Sequence, residues 1–333
     1  MEKLRLSILD QSQVRRNGTA REALIESGEL VQLAEKLGYT RYWVSEHHNF
    51  KMVAGTAPEV LIPYLASRTN TIRIGSGGIM LPNHSSLKMA ENFGLLENLF
   101  PGRIDLGIGR APGGDRLSSH LLNPSNTFSE NEFLQQLVTV RAFLRGEESA
   151  ETVHEKVKSY PQPDQLPELW LLTSSGGSAQ FAAHLGMGLS FAQFINPEGG
   201  PDTADFYRHN FRPSEELSAP KVNVGVFAFC SDDEQKIADW EAEFDYRMLH
   251  IESGARGEIP PFSEIKRYNY NLQQRARISY NKGRYIAGTP DKLQREFLKI
   301  AERYETNEIV VATTAEDFSD RKKSYELLAG LFL

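Results

Sequence analysis

Along the chain, short apolar or β-branched runs alternate with longer segments in which apolar residues recur every third or fourth position. The short runs predict strands over Leu4–Leu9, Tyr42–Ser45, Ile72–Gly75, Ile104–Ile108, Glu168–Leu172, Gly188–Phe191, Val222–Phe229 and Glu308–Val311. The amphipathic segments predict helices over Thr19–Leu37, Pro58–Thr69, Ser85–Leu99, Ser129–Arg145, Ser178–Leu185, Asp232–Leu249, Pro290–Arg303 and Phe318–Phe332. Strand followed by helix, repeated from residue 4 to residue 332, describes an α/β chain folded as a (β/α)8 TIM barrel better than two doubly wound sheets. No internal repeat, low-complexity tract or long Pro/Gly linker divides residues 1–333, so a single domain is expected. Two connections exceed a minimal barrel, 109–128 and 250–287. Both are polar and rich in Gly, Pro, Asn and Arg, and the second predicts a mobile lid inserted at the C-terminal face.

In this fold catalytic groups sit at the C-terminal ends of strands and in the loops that follow. Those ends carry Asp10-Gln11, Glu46-His47-His48, Gly77-Gly78, Gly109-Arg110, Thr173 to Ser178, Gln193-Phe194 and Cys230-Ser231. In "LLTSSGGSAQFAAHLG", a strand runs through Ser174, Ser175, Gly176, Gly177 and Ser178 directly into a helix. Such a turn offers hydroxyls and backbone N–H groups to a phosphate, although an ordinary capped turn uses the same residues. Arg110, in "GIGRAPGGD", ends the neighbouring strand, and a guanidinium holds phosphate bidentately. Either feature alone has a bland explanation; at adjacent strand ends they converge on one anion. Gly75, Gly77 and Gly78 cluster where the third strand reaches the same face, which fits a flat surface approached by a planar ligand, or else a bulge or barrel corner. His84, which follows, reads as a polar loop residue.

"VSEHHNF" poses a choice between a metal site, an acid/base site and a solvated loop. The remaining histidines, at 84, 120, 154, 184, 209 and 250, show no paired ligand spacing, so no metal is expected. An imidazole oriented by a carboxylate, His47 beside Glu46, accounts better for the motif, because that pair poises a proton near neutral pH. His48, by strand alternation, is expected to turn the other way and to be structural.

Charge and composition narrow the partners. The net charge of −7, from 37 basic and 44 acidic residues spread along the chain, gives no basic field for nucleic acid or an anionic membrane, and leaves small molecules. No signal-like leader and no run of ~18 apolar residues is present, so a cytoplasmic protein without a membrane span is expected. The one cysteine, Cys230, lies in apolar "VFAFC" and reads as a buried structural thiol, so redox chemistry requires a bound cofactor.

Three stretches, "GYTRYWVSEHHN", "IRIGSGGIMLPNHSSLKMAENFGLLENLFPGRIDLGIGRAPGGD" and "LWLLTSSGGSAQFAAHLGMG", make the chain resemble the bacterial luciferase-like, flavin-dependent monooxygenases over essentially its whole length, within the single-chain subgroup. The resemblance implies a barrel that binds reduced FMN at its C-terminal mouth, with a non-prolyl cis peptide at Gly77-Gly78 beneath the ring. Phosphate contacts would fall on Arg110, Ser174, Ser175 and Ser178, with Gly176 and Gly177 in the same turn, and the functional histidine on His47 with Glu46 beside it. It also implies O2 addition at the flavin C4a and transfer from the resulting peroxide to a small organic substrate, which apolar mouth residues such as Met80, Phe194 and Phe229 suggest is hydrophobic. Gly109 stands where the light-emitting α chain has a reactive cysteine and Ser174 where it has a glutamate, so a flavin site without light emission is implied. No NAD(P) fingerprint is present, so reduced flavin would come from a separate NAD(P)H flavin reductase; a homodimer is implied as well. Three alternatives stay open. They are a deazaflavin (F420)-dependent dehydrogenase on the same barrel, a non-catalytic flavin-binding protein, and a metal-dependent hydrolase using Glu46, His47 and His48.

Overall fold

The computed structural model describes residues 3–147, 156–255 and 258–333. Nine parallel strands are present among them: β1 (Arg5–Asp10), β2 (Arg41–Val44), β3 (Arg73–Met80), β4 (Ile104–Gly109), β5 (Glu168–Thr173), β6 (Gly188–Ala192), β7 (Val222–Cys230), β8 (Tyr285–Gly288) and β9 (Glu308–Ala312). Eight of them close a ring, β1 through β7 in order and then β9, which pairs with both β7 and β1. The (β/α)8 barrel is therefore the observed architecture. Helices α1 (Ala20–Leu37), α2 (Pro58–Ala66), α3 (Ser86–Leu99), α4 (Arg116–Leu122), α5 (Glu130–Arg145), α6 (Gly177–Leu185), α7 (Gly200–Asn210), α8 (Glu234–Glu252), α9 (Phe262–Ile265), α10 (Leu272–Asn281), α11 (Pro290–Tyr304) and α12 (Phe318–Phe332) complete the described chain.

Local chemistry explains the element boundaries. Thr19 caps α1 through a reciprocal box with Glu22, and Gly38 ends the helix at φ +86°. β3 runs five residues past its expected end, to Met80, and at Gly75, Gly77 and Gly78 no side chain fits. A Cβ on Gly75 would lie 2.3 Å from the Asp105 carbonyl oxygen, one on Gly78 2.7 Å from that of Gly107, and one on Gly77 2.8 Å from the Trp43 ring. Close approach of β3 to β4 is what the glycines permit. The Gly77–Gly78 peptide bond is cis.

Two segments hold elements that the patterning does not show. A helix after β6 was not anticipated, yet α7 fills that place; its start is marked by Gly200-Pro201 and its buried face by Ala204 and Tyr207. The span 250–287 contains the end of α8, the short helices α9 and α10, and Tyr285–Ala287 of β8; Arg256 and Gly257 lie outside the described residues. β8 pairs only with the last residues of β7, outside the ring, and four residues on one edge give too short a pattern to read. Glu252 pins the span to α8, accepting from Arg277 at 2.8 Å twice, from Arg284 at 2.6 Å and from Asn281 at 3.2 Å.

The barrel floor is ionic. Arg41, 1% exposed, donates to Asp105 at 2.6 Å and Glu308 at 2.7 Å and lies over the Trp170 ring at 4.8 Å. Trp43 also donates to Asp105, and Trp170 and Lys221 donate to Glu168. Burial alone would raise the Glu168 carboxyl, but Arg41, Lys221 and Arg73 hold it down at about 2. Above this layer an apolar interior of Leu9, Trp43, Trp170, Phe227, Phe229, Val310 and Ala312 is closed by Trp240, Phe244 and Met248 of α8. Trp240 stacks on Phe229 at 5.4 Å, so Phe229, expected to be open to a substrate, is covered.

Candidate active site at the barrel mouth

β2 ends at Val44, and the chain that follows carries Ser45 to His48 across the rim beside the end of β3. Glu46 is 1% exposed, so its charge survives only with several donors. It has four: His48 Nε2 at 2.7 Å, His84 Nε2 at 2.9 Å, the Met80 N–H at 2.7 Å and Asn83 Nδ2 at 3.2 Å. Burial would raise the carboxyl, but the bonds from His48, His84 and Met80 outweigh it and hold it at about 2. Burial also pulls on His84 in the neutralising direction, yet Glu46 leaves its imidazole above the ordinary value.

This corrects the expected pairing. Glu46 does not orient His47; it binds His48 and His84. His47 Nδ1 instead meets Ser45 Oγ at 3.1 Å, and its backbone N–H donates to the Gly55 carbonyl. Strand alternation could not place the two imidazoles, because extended pairing stops at Val44. His84, read from the sequence as a polar loop residue, belongs to this cluster; the signal for it is its position, just past the end of the strand that neighbours β2. His47 is mostly buried and its imidazole is pushed below the usual value, by burial first, with the Glu46 charge opposing. It is therefore neutral at pH 7, a proton acceptor.

The Glu46 cluster also fixes the loop after β4. Asn83 donates to the Pro112 carbonyl at 2.9 Å, and the His48 N–H to that of Gly113 at 2.8 Å. A group whose folded pKa is lowered stabilises the fold fully above its unfolded value and loses that contribution as pH falls toward the folded one. Glu46→Gln is accordingly expected to lower the urea midpoint at pH 7, with the difference shrinking as pH drops from 4.5 toward about 2. A loss independent of pH would show that shape, not charge, holds the cluster.

The second group of predicted residues converges on the rim at β4 and β5, which are neighbours. Arg110 donates to Glu130 at 3.2 Å and reaches over the start of α6: a methyl on Gly177 would lie 3.9 Å from Arg110 Nη2 and 3.7 Å from Glu130 Oε1. No side chain caps α6. Its cap position, Gly176, takes φ +76°, a conformation natural to glycine, and the Ser174 carbonyl is held by Asn196 at 2.9 Å. Ser175 and Gly177 are exposed and Ser174 is half-buried, whereas Ser178 is buried. A guanidinium beside an uncapped helix start attracts negative charge, and here it is met by the Glu130 carboxylate. Among the described residues no group of three or more His, Cys, Asp or Glu is arranged to hold a metal ion, and no helix is long and apolar enough to cross a membrane.

Residues 4–316 match the model of the luciferase-like monooxygenase family. The chain is 42% identical to YwcH of Bacillus subtilis (strain 168) over 98% of each chain. It is 33% identical to the N-acetyl-S-alkylcysteine monooxygenase of the same organism, over 99% of this chain and 98% of that one. Among solved structures, apo-MsnO8 superposes with a TM-score of 0.90 at 33% identity, covering 99% of this chain and 98% of that one. The chain belongs to the luciferase-like monooxygenase family. The fold alone is shared, at 16% identity and TM-score 0.69, with the oxygenating constituent of 3,6-diketocamphane monooxygenase in complex with FMN. It is shared likewise, at 14% and 0.70, with an F420-dependent secondary alcohol dehydrogenase.

Proposed function

We propose that the protein is a monooxygenase that takes reduced FMN and O2 as co-substrates and oxygenates a small hydrophobic organic molecule at the barrel mouth. The observation that carries this reading is the meeting of Arg110 with the uncapped start of α6 at adjacent strand ends, a donor set that fits a flavin phosphate. Bound reduced flavin supplies the electrons that activate O2 for insertion of one oxygen atom. The chain's own residues do the rest. Arg110 and the 174–178 turn anchor the phosphate, Gly77 and Gly78 form the flat rim beside it, and His47, neutral and braced by Ser45, accepts or returns a proton at the reacting centre. Glu46 holds that rim through His48, His84 and Met80, and the Trp240–Phe244 wall excludes water. Reduced flavin is delivered by a separate NAD(P)H flavin reductase, and the chain acts as a homodimer.

The test compares ligands that differ only in the phosphate. Arg110→Ala is expected to weaken FMN by about 1.5–3 kcal/mol, the scale of a charge-assisted hydrogen bond, and to leave riboflavin nearly untouched. Equal losses for both would sink the assignment. The F420-dependent dehydrogenase of the same fold favours a second reading, hydride transfer from a deazaflavin. Side-by-side titration with FMN and the deazaflavin cofactor decides between the two, since the second reading requires tighter binding of the latter.

A further inference from the structure

Glu130, the first residue of α5, has entered so far only as the partner of Arg110. We propose that it is a built-in competitor for the flavin phosphate, one that keeps the site weak enough for FMN to exchange as a substrate at each turnover. The inference rests on the flavin reading above and adds to it the reason the cofactor does not stay.

Its position is the first argument. One carboxylate faces both positive elements of the site, with Oε1 3.2 Å from Arg110 Nη1 and 3.7 Å from where a methyl on Gly177 would stand, at the amide end of α6. The chain has thus placed its own anion where a phosphate oxygen would be attracted. The second argument is that Glu130 carries little structural load there beyond that of one of two acidic residues in the first turn of α5. Ser129, not Glu130, caps α5, accepting from the Glu132 N–H at 3.2 Å. Among the described residues, the Glu130 side chain hydrogen-bonds only to Arg110 and is 56% exposed. An ion pair that open contributes little to stability.

The consequence is electrostatic. A phosphate ester carrying about −1.5 to −2 charges that enters between Arg110 and α6 must displace a carboxylate and then remain beside it. Both effects oppose the phosphate and neither touches the ring, so they act on FMN and not on riboflavin. An exposed charge at the mouth of a site acts on the association rate, and one that stays beside the bound anion acts on dissociation as well. Glu130 therefore sets how quickly flavin enters and leaves, while Arg110 sets that the phosphate is recognised at all.

Stopped-flow fluorescence on the full chain, with FMN and riboflavin as probes, tests this on Glu130→Gln, Glu130→Ala and Arg110→Ala. Both Glu130 variants alter an exposed helix start and are expected to melt with the parent. Each should bind FMN about three- to tenfold more tightly, through faster association and slower release, with riboflavin unchanged. If Arg110→Ala weakens FMN selectively while the Glu130 variants leave FMN where it was, or weaken it, the competitor role is overturned and the phosphate site stands. If Arg110→Ala has no selective effect, the flavin reading fails and this inference goes with it.

Discussion

Replacing His47 with Ala is expected to leave the fold and FMN affinity in place, while product formed per reduced FMN consumed falls on the order of 10²–10⁴-fold, the range for a lost general acid or base. The imidazole touches the rest of the protein lightly: one side-chain hydrogen bond, to Ser45, on a ring that burial keeps neutral. His48 and His84 are the controls. Both donate to a fully buried carboxylate, so His48→Ala and His84→Ala leave Glu46 under-satisfied and are expected to cost stability first, at about 1–3 kcal/mol each. Their turnover per folded molecule should fall much less than that of His47→Ala. Peroxide release, followed alongside product, separates lost coupling from lost flavin oxidation. Coupling as efficient as the parent's in His47→Ala would remove His47 from the chemistry.

The second large effect lies at the opposite end of the barrel. Arg41→Met is expected to destabilise the protein by up to about 3–5 kcal/mol, because it takes the buried guanidinium from two carboxylates and leaves Asp105 with the half-buried Arg73 and Glu308 with Ser7 and Arg5 at 3.7 Å. Asp105 and Glu308 are fully buried, and Arg41 meets them at 2.6 and 2.7 Å. Burial pushes the Glu308 carboxyl up and Arg41, with Ser7 and Arg5, more than reverses it, so removing the guanidinium leaves a buried ion with fewer and weaker partners. The companion variant Arg41→Met/Asp105→Asn/Glu308→Gln removes all three charges and should recover part of the loss. FMN affinity of the folded fraction should not change in either. A urea midpoint shifted by less than the equivalent of about 1 kcal/mol in the single variant would falsify the claim that Arg41 neutralises the floor.

How much of this was written in the sequence depends on the range of the interaction. Strand and helix periodicity is local, so the eight ring strands and most of the helices lie where the patterning of apolar residues puts them. α7 and β8 were obscured because one is short and polar outside and the other pairs along a single edge. The meeting of Arg110 with the 174–178 turn was legible, since each belongs to a contiguous motif and barrel order makes their strands neighbours. The Glu46 cluster was not, for its partners come from two loops and their directions depend on where β2 stops pairing. Glu130 was hidden for the same reason: it belongs to a helix start twenty positions beyond Arg110, with an intervening helix between them. The ionic floor, too, joins residues separated by up to 267 positions, and no window along the chain reveals it.

β7 outlasts the ring it belongs to. Its pairs with β6 and β9 end at Phe227, while its last residues continue to Cys230 and carry β8 alongside. None of the ring's ladders uses a residue between 228 and 307. The stretch from α8 to β8 is therefore seated on the barrel without closing its ring, like a fitting on a projecting beam, whereas α11 belongs to the main core. Natural selection can lengthen, shorten or replace it without re-registering a single closing strand. Within one family, divergence in what the enzymes accept is then expected to concentrate in this stretch, and chimeras exchanging residues 231–284 between relatives should keep the barrel while trading preferences.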